Sequence, residues 1–225
     1  MRRNYKVLLI DDHPLITGAY KSALQFVSDE SEEINFYIDT ADNCDDGYEK
    51  IKDASENSHL DLIFLDLRLP PSKDNKILSG EDLGIIANKL MPDTKVIIST
   101  TFNDNYRIHS ILKSVNPDGF LIKNDITPEE IVTAIKNVLF DPPYYSKSVL
   151  RLLRNEVSND FLLDKIDRRL LYELSIGTKM KDLPDILPLS IAGIEKRKRH
   201  LKEVFDVSKS SDKDLILIAK EKGFI

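Results

Sequence analysis

The sequence predicts an α/β fold, a five-stranded doubly wound parallel sheet, followed by a second, smaller all-α domain. Three observations predict it. Over the first 140 residues, short apolar runs rich in Val, Ile, Phe and Tyr alternate with longer segments of helical spacing. The third run, LDLIFLD, is apolar at consecutive positions, which marks a strand covered on both faces. After Pro142 and Pro143 the alternation stops and only helical spacing remains.

The expected strands are Val7–Ile10, Ile34–Ile38, Leu60–Leu65, Val96–Ile98 and Gly119–Ile122. Between them, Leu15, Ala19, Ala23 and Phe26 share one helix face; Leu83, Ile86, Ala87 and Leu90 share another; Ile108, Ile111, Leu112 and Val115 a third. Ile131, Ile135, Val138 and Leu139 form a fourth face. It is preceded by Thr127 as N-cap, Pro128 at the first helical position and Glu130 as capping-box partner. Asp141-Pro142-Pro143-Tyr144-Tyr145 reads as an extended link, with a short helix from Ser146 to about Glu156. The remaining helices are expected over Asp164–Ile176, Lys181–Leu187, Ser190–Phe205 and Ser211–Lys222, with Asp164, Ser190 and Ser211 as N-caps. The expected division is therefore 1–140, a linker 141–161, and 162–225.

Charge supports two domains with different partners. Residues 1–140 hold 15 basic and 24 acidic side chains, a net of −9, whereas 162–225 hold 14 and 11, a net of +3. A single cysteine, Cys44, excludes an intramolecular disulfide framework and a cysteine-based zinc cluster. No apolar run reaches the roughly 18 residues of a membrane span. The apolar run after the basic start MRR is too short for a signal peptide, so a cytoplasmic protein without a membrane partner is expected.

The chemistry sits where strands end. Ligands of doubly wound sheets bind at the carboxyl ends of the strands, near the point where strand order reverses. Asp11 and Asp12 follow strand 1, Asp66 ends strand 3, Thr100 ends strand 4 and Lys123 follows strand 5. Adjacent carboxylates repel unless a cation or proton compensates them. Three acids, a hydroxyl and an ammonium suit a hard divalent cation, Mg²⁺, together with a phosphoryl group. Asp66 then acts as the nucleophile that becomes an aspartyl phosphate. His13 and Pro14 read only as the start of the next helix.

The motifs LLIDDHP, LIFLDLRLP, VIISTTF and GFLIKND, in that order, resemble the strand ends of a response-regulator receiver domain, which has a flavodoxin-like fold. The resemblance covers residues 4–140. It implies that Asp11, Asp12, Asp66 and the backbone carbonyl of Arg68 bind Mg²⁺, with Asp12 the direct ligand and Asp11 acting through water. It also implies Asp66 as phosphoacceptor, Thr100 as switch hydroxyl, Phe120 as switch aromatic and Lys123 as the phosphate-contacting lysine. One departure is the spacing from Asp66 to Gly80, lengthened by PSKDNKIL, which puts a longer loop, Pro71–Ser79, beside the site. The rival enzyme class is a magnesium-dependent phosphatase with an aspartyl nucleophile. That class spaces its two acids two positions apart after strand 1, so the adjacency of Asp11 and Asp12 argues for a regulator rather than an enzyme.

Residues 163–207 resemble a LuxR/NarL-type helix-turn-helix domain, with Gly177 in the first turn, Lys181–Leu187 as supporting helix and Ser190–Phe205 as recognition helix. The resemblance implies double-stranded DNA as partner, with Lys179, Lys181, Lys196, Arg197, Arg199 and His200 as contacts. Ile191, Ile194, Leu201, Val204 and Phe205 read as packing residues. Gly193 weakens the helix by about 1 kcal/mol. Glu195 stands where the family is usually basic, and Pro184 and Pro188 bracket the supporting helix. These departures motivate the alternative, a receiver whose degenerate helical output acts through protein–protein interaction. The expected function is that of a two-component response regulator, phosphorylated on Asp66 by a sensor histidine kinase and homodimeric on activation.

Overall fold

The computed structural model describes residues 2–31, 33–101, 105–154 and 163–225. The chain divides into two compact units, Met1–Asn103 with Ile111–Arg154, and Asp104–Ser110 with Asn155–Ile225. The end of the expected short helix at Glu156 and the expected boundary at 161/162 lie outside the described residues.

All five expected strands form, and all pair in parallel. β1 (Arg3–Ile10) lies between β2 (Ile34–Ala41) and β3 (Leu62–Asp66), and β4 (Lys95–Thr100) and β5 (Gly119–Ile122) follow, in the order 2-1-3-4-5. The order reverses between β1 and β3, so the carboxyl ends of those two strands flank the switch point. A sixth strand, β6 (Tyr144–Tyr145), extends the sheet beside β5, where the sequence suggested only an extended link. Its pairing is completed by the Ser146 N–H, which donates to the Phe120 carbonyl at 3.0 Å.

The crossovers are α1 (Pro14–Glu30), α2 (Cys44–Asn57), α3 (Gly80–Leu90), α4 (Asn105–Ser114) and α5 (Pro128–Phe140), and α6 (Lys147–Arg154) follows β6. Every residue of β3 is buried, as a central strand covered on both faces requires. On one face, Tyr20, Leu24 and Val27 of α1 and Ile131, Ile135 and Val138 of α5 pack on Val7, Leu9, Phe64, Ile97 and Leu121. The inward face of α1 differs from the sequence reading: Leu15 is 85% exposed and Phe26 is 52% exposed, while Tyr20, Ala23, Leu24 and Val27 are buried. Both sets have helical period, and the sheet selected the one that places the long Tyr20 ring on Phe64, centroids 4.6 Å apart. Thr127 caps α5 by accepting from the Glu130 N–H at 3.2 Å. The Glu130 carboxylate, expected to close a capping box, is hydrogen-bonded to the Tyr144 hydroxyl; burial, and after it the Glu130 charge and hydrogen bond, hold that phenol's pKa above its ordinary value.

The second unit contains α7 (Lys165–Ser175), α8 (Ile191–Val204) and α9 (Asp212–Glu221). Asp164 caps α7 in a reciprocal box with Asp167, and Ser211 does the same for α9 with Asp214. Ser190 caps α8 by accepting from the Gly193 N–H. Gly177 follows α7 at φ +87°, and its N–H and that of Thr178 reach back to the carbonyls of Leu174 and Glu173. The supporting helix expected over Lys181–Leu187 is a correction: only a single 3₁₀ turn, Leu183–Asp185, forms there. Pro184 lacks an N–H and fits the first turn only, while Pro188 disfavours helical backbone at Leu187. Leu183 and Leu187 are nonetheless buried with Leu170, Leu171, Leu174, Ile194, Leu201, Phe205 and Leu215 in one core. Ile191, expected to pack, is instead 48% exposed.

Candidate functional site

The parallel sheet brings the ends of β1, β3, β4 and β5 to one edge, and with them the acids read from the sequence. Asp11 and Asp66 are both buried. The Lys123 ammonium lies between them, 2.6 Å from Asp11 Oδ2 and 2.7 Å from Asp66 Oδ2. Asp66 Oδ1 accepts from the Arg68 N–H at 3.0 Å, so both carboxylate oxygens are held. Asp11 Oδ1 accepts from the His13 N–H at 3.0 Å. Burial pushes the Asp11 carboxyl above its ordinary value; Lys123 pulls it back, and the nearby Asp66 adds to the rise.

Oxygen and nitrogen ligand atoms of Asp11, Asp12, His13 and Asp66 all lie within 4.8 Å of one another. Asp12 is exposed, at the mouth of the cluster. Asp11 Oδ2 is buried and meets the Lys123 ammonium at 2.6 Å, with no further partner among the described residues. A buried carboxylate oxygen in that state, among two further carboxylates, fits a hard divalent cation, for which oxygen donors are preferred. His13 is the residue that the sequence did not single out: its Nδ1 lies 2.5 Å from Asp12 Oδ1 and 3.4 Å from Asp11 Oδ1. Its adjacency to the pair was visible, but the turn that directs the ring back over the acids was not.

Thr100 is fully buried at the end of β4, and its carbonyl accepts from the Lys123 N–H at 2.8 Å. Phe120, three residues before Lys123, is also fully buried. Beneath the site, Tyr20 donates to Ser99 Oγ at 2.6 Å; burial raises the Tyr20 phenol and keeps it a donor.

The lengthened loop has a built structure. The Ser72 N–H donates to the Ile77 carbonyl at 2.8 Å and the Ile77 N–H donates to Ser72 Oγ at 3.0 Å, with Asn75 at φ +54° closing the turn. The Asp45 carboxylate at the start of α2 accepts from the Lys73 N–H, at 3.2 Å to the nearer oxygen. The chain then returns to the site at Gly80, where a Cβ would stand 1.8 Å from the Asp66 carbonyl oxygen. The loop's exit therefore rests directly on the backbone of the central acid.

The basic run of α8 separates into two faces. Arg197 is turned to α7, 2.8 Å from Asp164 Oδ2 and 2.7 Å from Asp167 Oδ1. Lys198 and Lys202 both bind Asp212, at 2.8 and 2.7 Å. Burial pushes the Asp212 carboxyl up, but the two lysines outweigh it and hold it below the ordinary range. Glu195, Lys196 and Arg199 are exposed and have no partner among the described residues. His200 is exposed, with Glu203 3.6 Å away. Lys179 and Lys181 are exposed before the 3₁₀ turn.

No protein-family model matches the chain. The oxygen regulatory protein NreC of Staphylococcus epidermidis is 24% identical over 209 residues, 87% of this chain and 88% of the relative. That of Staphylococcus carnosus is 22% identical over 98% of this chain and 99% of its own length. Among solved structures, RcsB of Salmonella enterica serovar Typhimurium bound to promoter rprA in the presence of phosphomimetic BeF3⁻ superposes with a TM-score of 0.66. It is 19% identical over 97% of this chain and 99% of that one. A structure of two RcsB dimers bound to two parallel DNAs gives 0.58, at 19% identity over 98% of this chain and 99% of that one. Along most of its length the chain is similar in sequence to these NreC regulators, and its fold, a receiver-like parallel α/β unit followed by a helical unit, is that of the full-length RcsB response regulator.

Proposed function

We propose that Asp66 accepts a phosphoryl group from a sensor histidine kinase in a Mg²⁺-dependent reaction, and that this modification controls DNA binding by the helical output unit. The single observation that carries the reading is the setting of Asp66: a buried carboxylate beside Asp11, with Lys123 bridging the two at 2.6 and 2.7 Å.

The residues divide the work as follows. Asp66 attacks phosphorus with a carboxylate oxygen, while the bond from phosphorus to the donor nitrogen breaks and the imidazole leaves. The Arg68 N–H orients the carboxylate, so the nucleophile enters without searching rotamers. Lys123 exchanges a carboxylate for a phosphoryl oxygen as its partner. The Thr100 hydroxyl binds another phosphoryl oxygen, and Phe120 answers that movement by repacking. Asp11, Asp12 and the Arg68 carbonyl would hold the Mg²⁺, which supplies neutralisation of charge on the transferring phosphoryl oxygens. Phosphorylation shifts a population between two states of the receiver.

The receiver is taken as residues 1–140, the linker as 141–161 and the output domain as 162–225. DNA contacts fall to Lys196, Arg199, Lys179, Lys181 and His200, whereas Arg197 serves to orient α8. RcsB, solved as two dimers on two parallel DNAs and also bound to promoter rprA, supports a homodimer on a paired DNA site. The place of action is the cytoplasm.

Intact mass after incubation with a small-molecule phosphodonor and Mg²⁺ tests the reading: the wild type gains one phosphoryl group and Asp66→Asn does not. An Asp66→Asn variant that gains the same mass sinks the assignment. The alternative, an output unit that binds protein, is favoured by the internal neutralisation of Arg197, Lys198 and Lys202. DNA binding must weaken steeply with salt. Retention on promoter fragments that is absent at low salt, with and without phosphorylation, decides for the alternative.

A further inference from the structure

Asp164, Asp167 and Asp212 hold Arg197, Lys198 and Lys202 within the fold, and among the charged residues that α8 leaves exposed, Glu195, Lys196 and Arg199 have no partner among the described residues. Arg199 lies four residues after Glu195 and three after Lys196, so the three cover one exposed face, on the side opposite the buried Ile194 and Leu201. Two of them suit phosphates or guanine; the third is an anion in the middle of a surface meant for a polyanion. A carboxylate turned to a phosphate is repelled, but one turned to a base edge in the major groove has one good partner, the N4 amino group of cytosine. Each carboxylate oxygen is an acceptor only, so it rejects the acceptor-rich edge of guanine at the same position.

We infer that Glu195 is a specificity-determining residue, which reads cytosine in the major groove by accepting a hydrogen bond from its N4 amino group, while Lys196 and Arg199 beside it hold the duplex. The inference rests on the DNA-binding reading above. The helix enters the groove with its N-terminal residues towards the bases. Glu195 lies in the second turn of α8, ahead of the cations, so the acid reaches the base edges where the ammonium and guanidinium reach the strands. The extra anion lowers affinity for all DNA and raises discrimination, the arrangement expected where selectivity rather than tightness is under control.

The test uses the full chain, phosphorylated with a small-molecule donor and Mg²⁺, and a pool of duplexes with a randomised core. The wild type selects sites with an invariant cytosine in each half-site. Glu195→Gln, which keeps the shape, selects adenine there or loses preference, and its discrimination between cytosine and the other bases falls by about 10-fold or more. The salt dependence of binding to the selected site stays that of the wild type, since no phosphate contact is lost. Glu195→Ala that binds every duplex tighter with an unchanged base profile shows that the acid only repels phosphates, and overturns the inference while leaving DNA binding intact. A wild type without salt-sensitive binding to any duplex overturns the DNA-binding reading and this inference with it. Glu195 is exposed and its side chain has no ion-pair or hydrogen-bond partner among the described residues, so both variants remain folded, which circular dichroism verifies.

Discussion

Gly80→Ala probes the point where the lengthened loop meets the acidic site. The added Cβ would stand 1.8 Å from the Asp66 carbonyl oxygen, 2.8 Å from the Asp66 carbonyl carbon and 3.0 Å from the Leu67 Cα, all backbone atoms. Reaching even 3.0 Å from the oxygen requires a separation of 1.2 Å between the start of α3 and the end of β3, the difference of those two distances. β3 is buried along its whole length and paired on both sides, so α3 and the loop must move. Overpacking costs roughly 1–3 kcal/mol where side chains can adjust. With two backbones in conflict the expected loss is about 3 kcal/mol, a fall in melting temperature of roughly 6–12 °C for a unit of this size. Misplacing the nucleophile by about 1 Å slows phosphorylation by roughly 100-fold. Thermal melts followed by circular dichroism and the rate of phospho-adduct formation followed by mass spectrometry read both effects. Gly18→Ala is the control: nothing lies within 4 Å of its added Cβ on α1, so stability rises by about 0.5–1 kcal/mol. A Gly80→Ala protein with the wild-type melting temperature and the wild-type phosphorylation rate would refute the close-approach argument.

Three further outcomes are expected. Lys123→Met removes the cation that lowers the Asp11 carboxyl, leaving burial and Asp66 to raise it further. A folded-state pKa above the unfolded one gives stability at low pH that is lost as pH rises through it, so the deficit against wild type should grow as pH rises above the ordinary carboxylate range, towards roughly 3–5 kcal/mol. Urea unfolding across that range checks it, and a pH-independent deficit contradicts it. Arg197→Met leaves the buried Asp167 without its guanidinium and should destabilise the second unit by about 1–3 kcal/mol while phosphorylation of Asp66 proceeds at the wild-type rate. Gly193→Ala meets nothing closer than 3.5 Å and should stabilise α8 by roughly 0.5–1 kcal/mol in the same unfolding experiment.

Strand positions, their order in the chain and the acids at their ends were legible in local pattern, because a buried strand must be apolar throughout and a polar residue at its end must face the crevice. The helix caps were legible for the same local reason: Asp164, Ser190, Ser211 and Thr127 each reach an N–H three residues ahead. Pattern alone could not choose between two apolar stripes on α1, since both have helical period and only the sheet says which is inward. The 3₁₀ turn at Leu183–Asp185 was foreshadowed by Pro184 and Pro188, but its two leucines still fill the core as a longer helix would. β6 was hidden because two residues are too few to carry a period.

Asp11, Asp12, Asp66, Thr100 and Lys123 were legible in the sequence as a candidate site because each stands at or just after a strand end, and a parallel sheet gathers those ends at one edge. The tertiary structure alone decided how those groups are paired. It placed Lys123 between two carboxylates, folded His13 over Asp12 and brought Gly80 onto the Asp66 backbone. It also divided the basic run of α8 into cations bound within the fold and others left exposed. Charge pairing depends on distances between segments far apart in the chain, and those distances exist only once the units have packed.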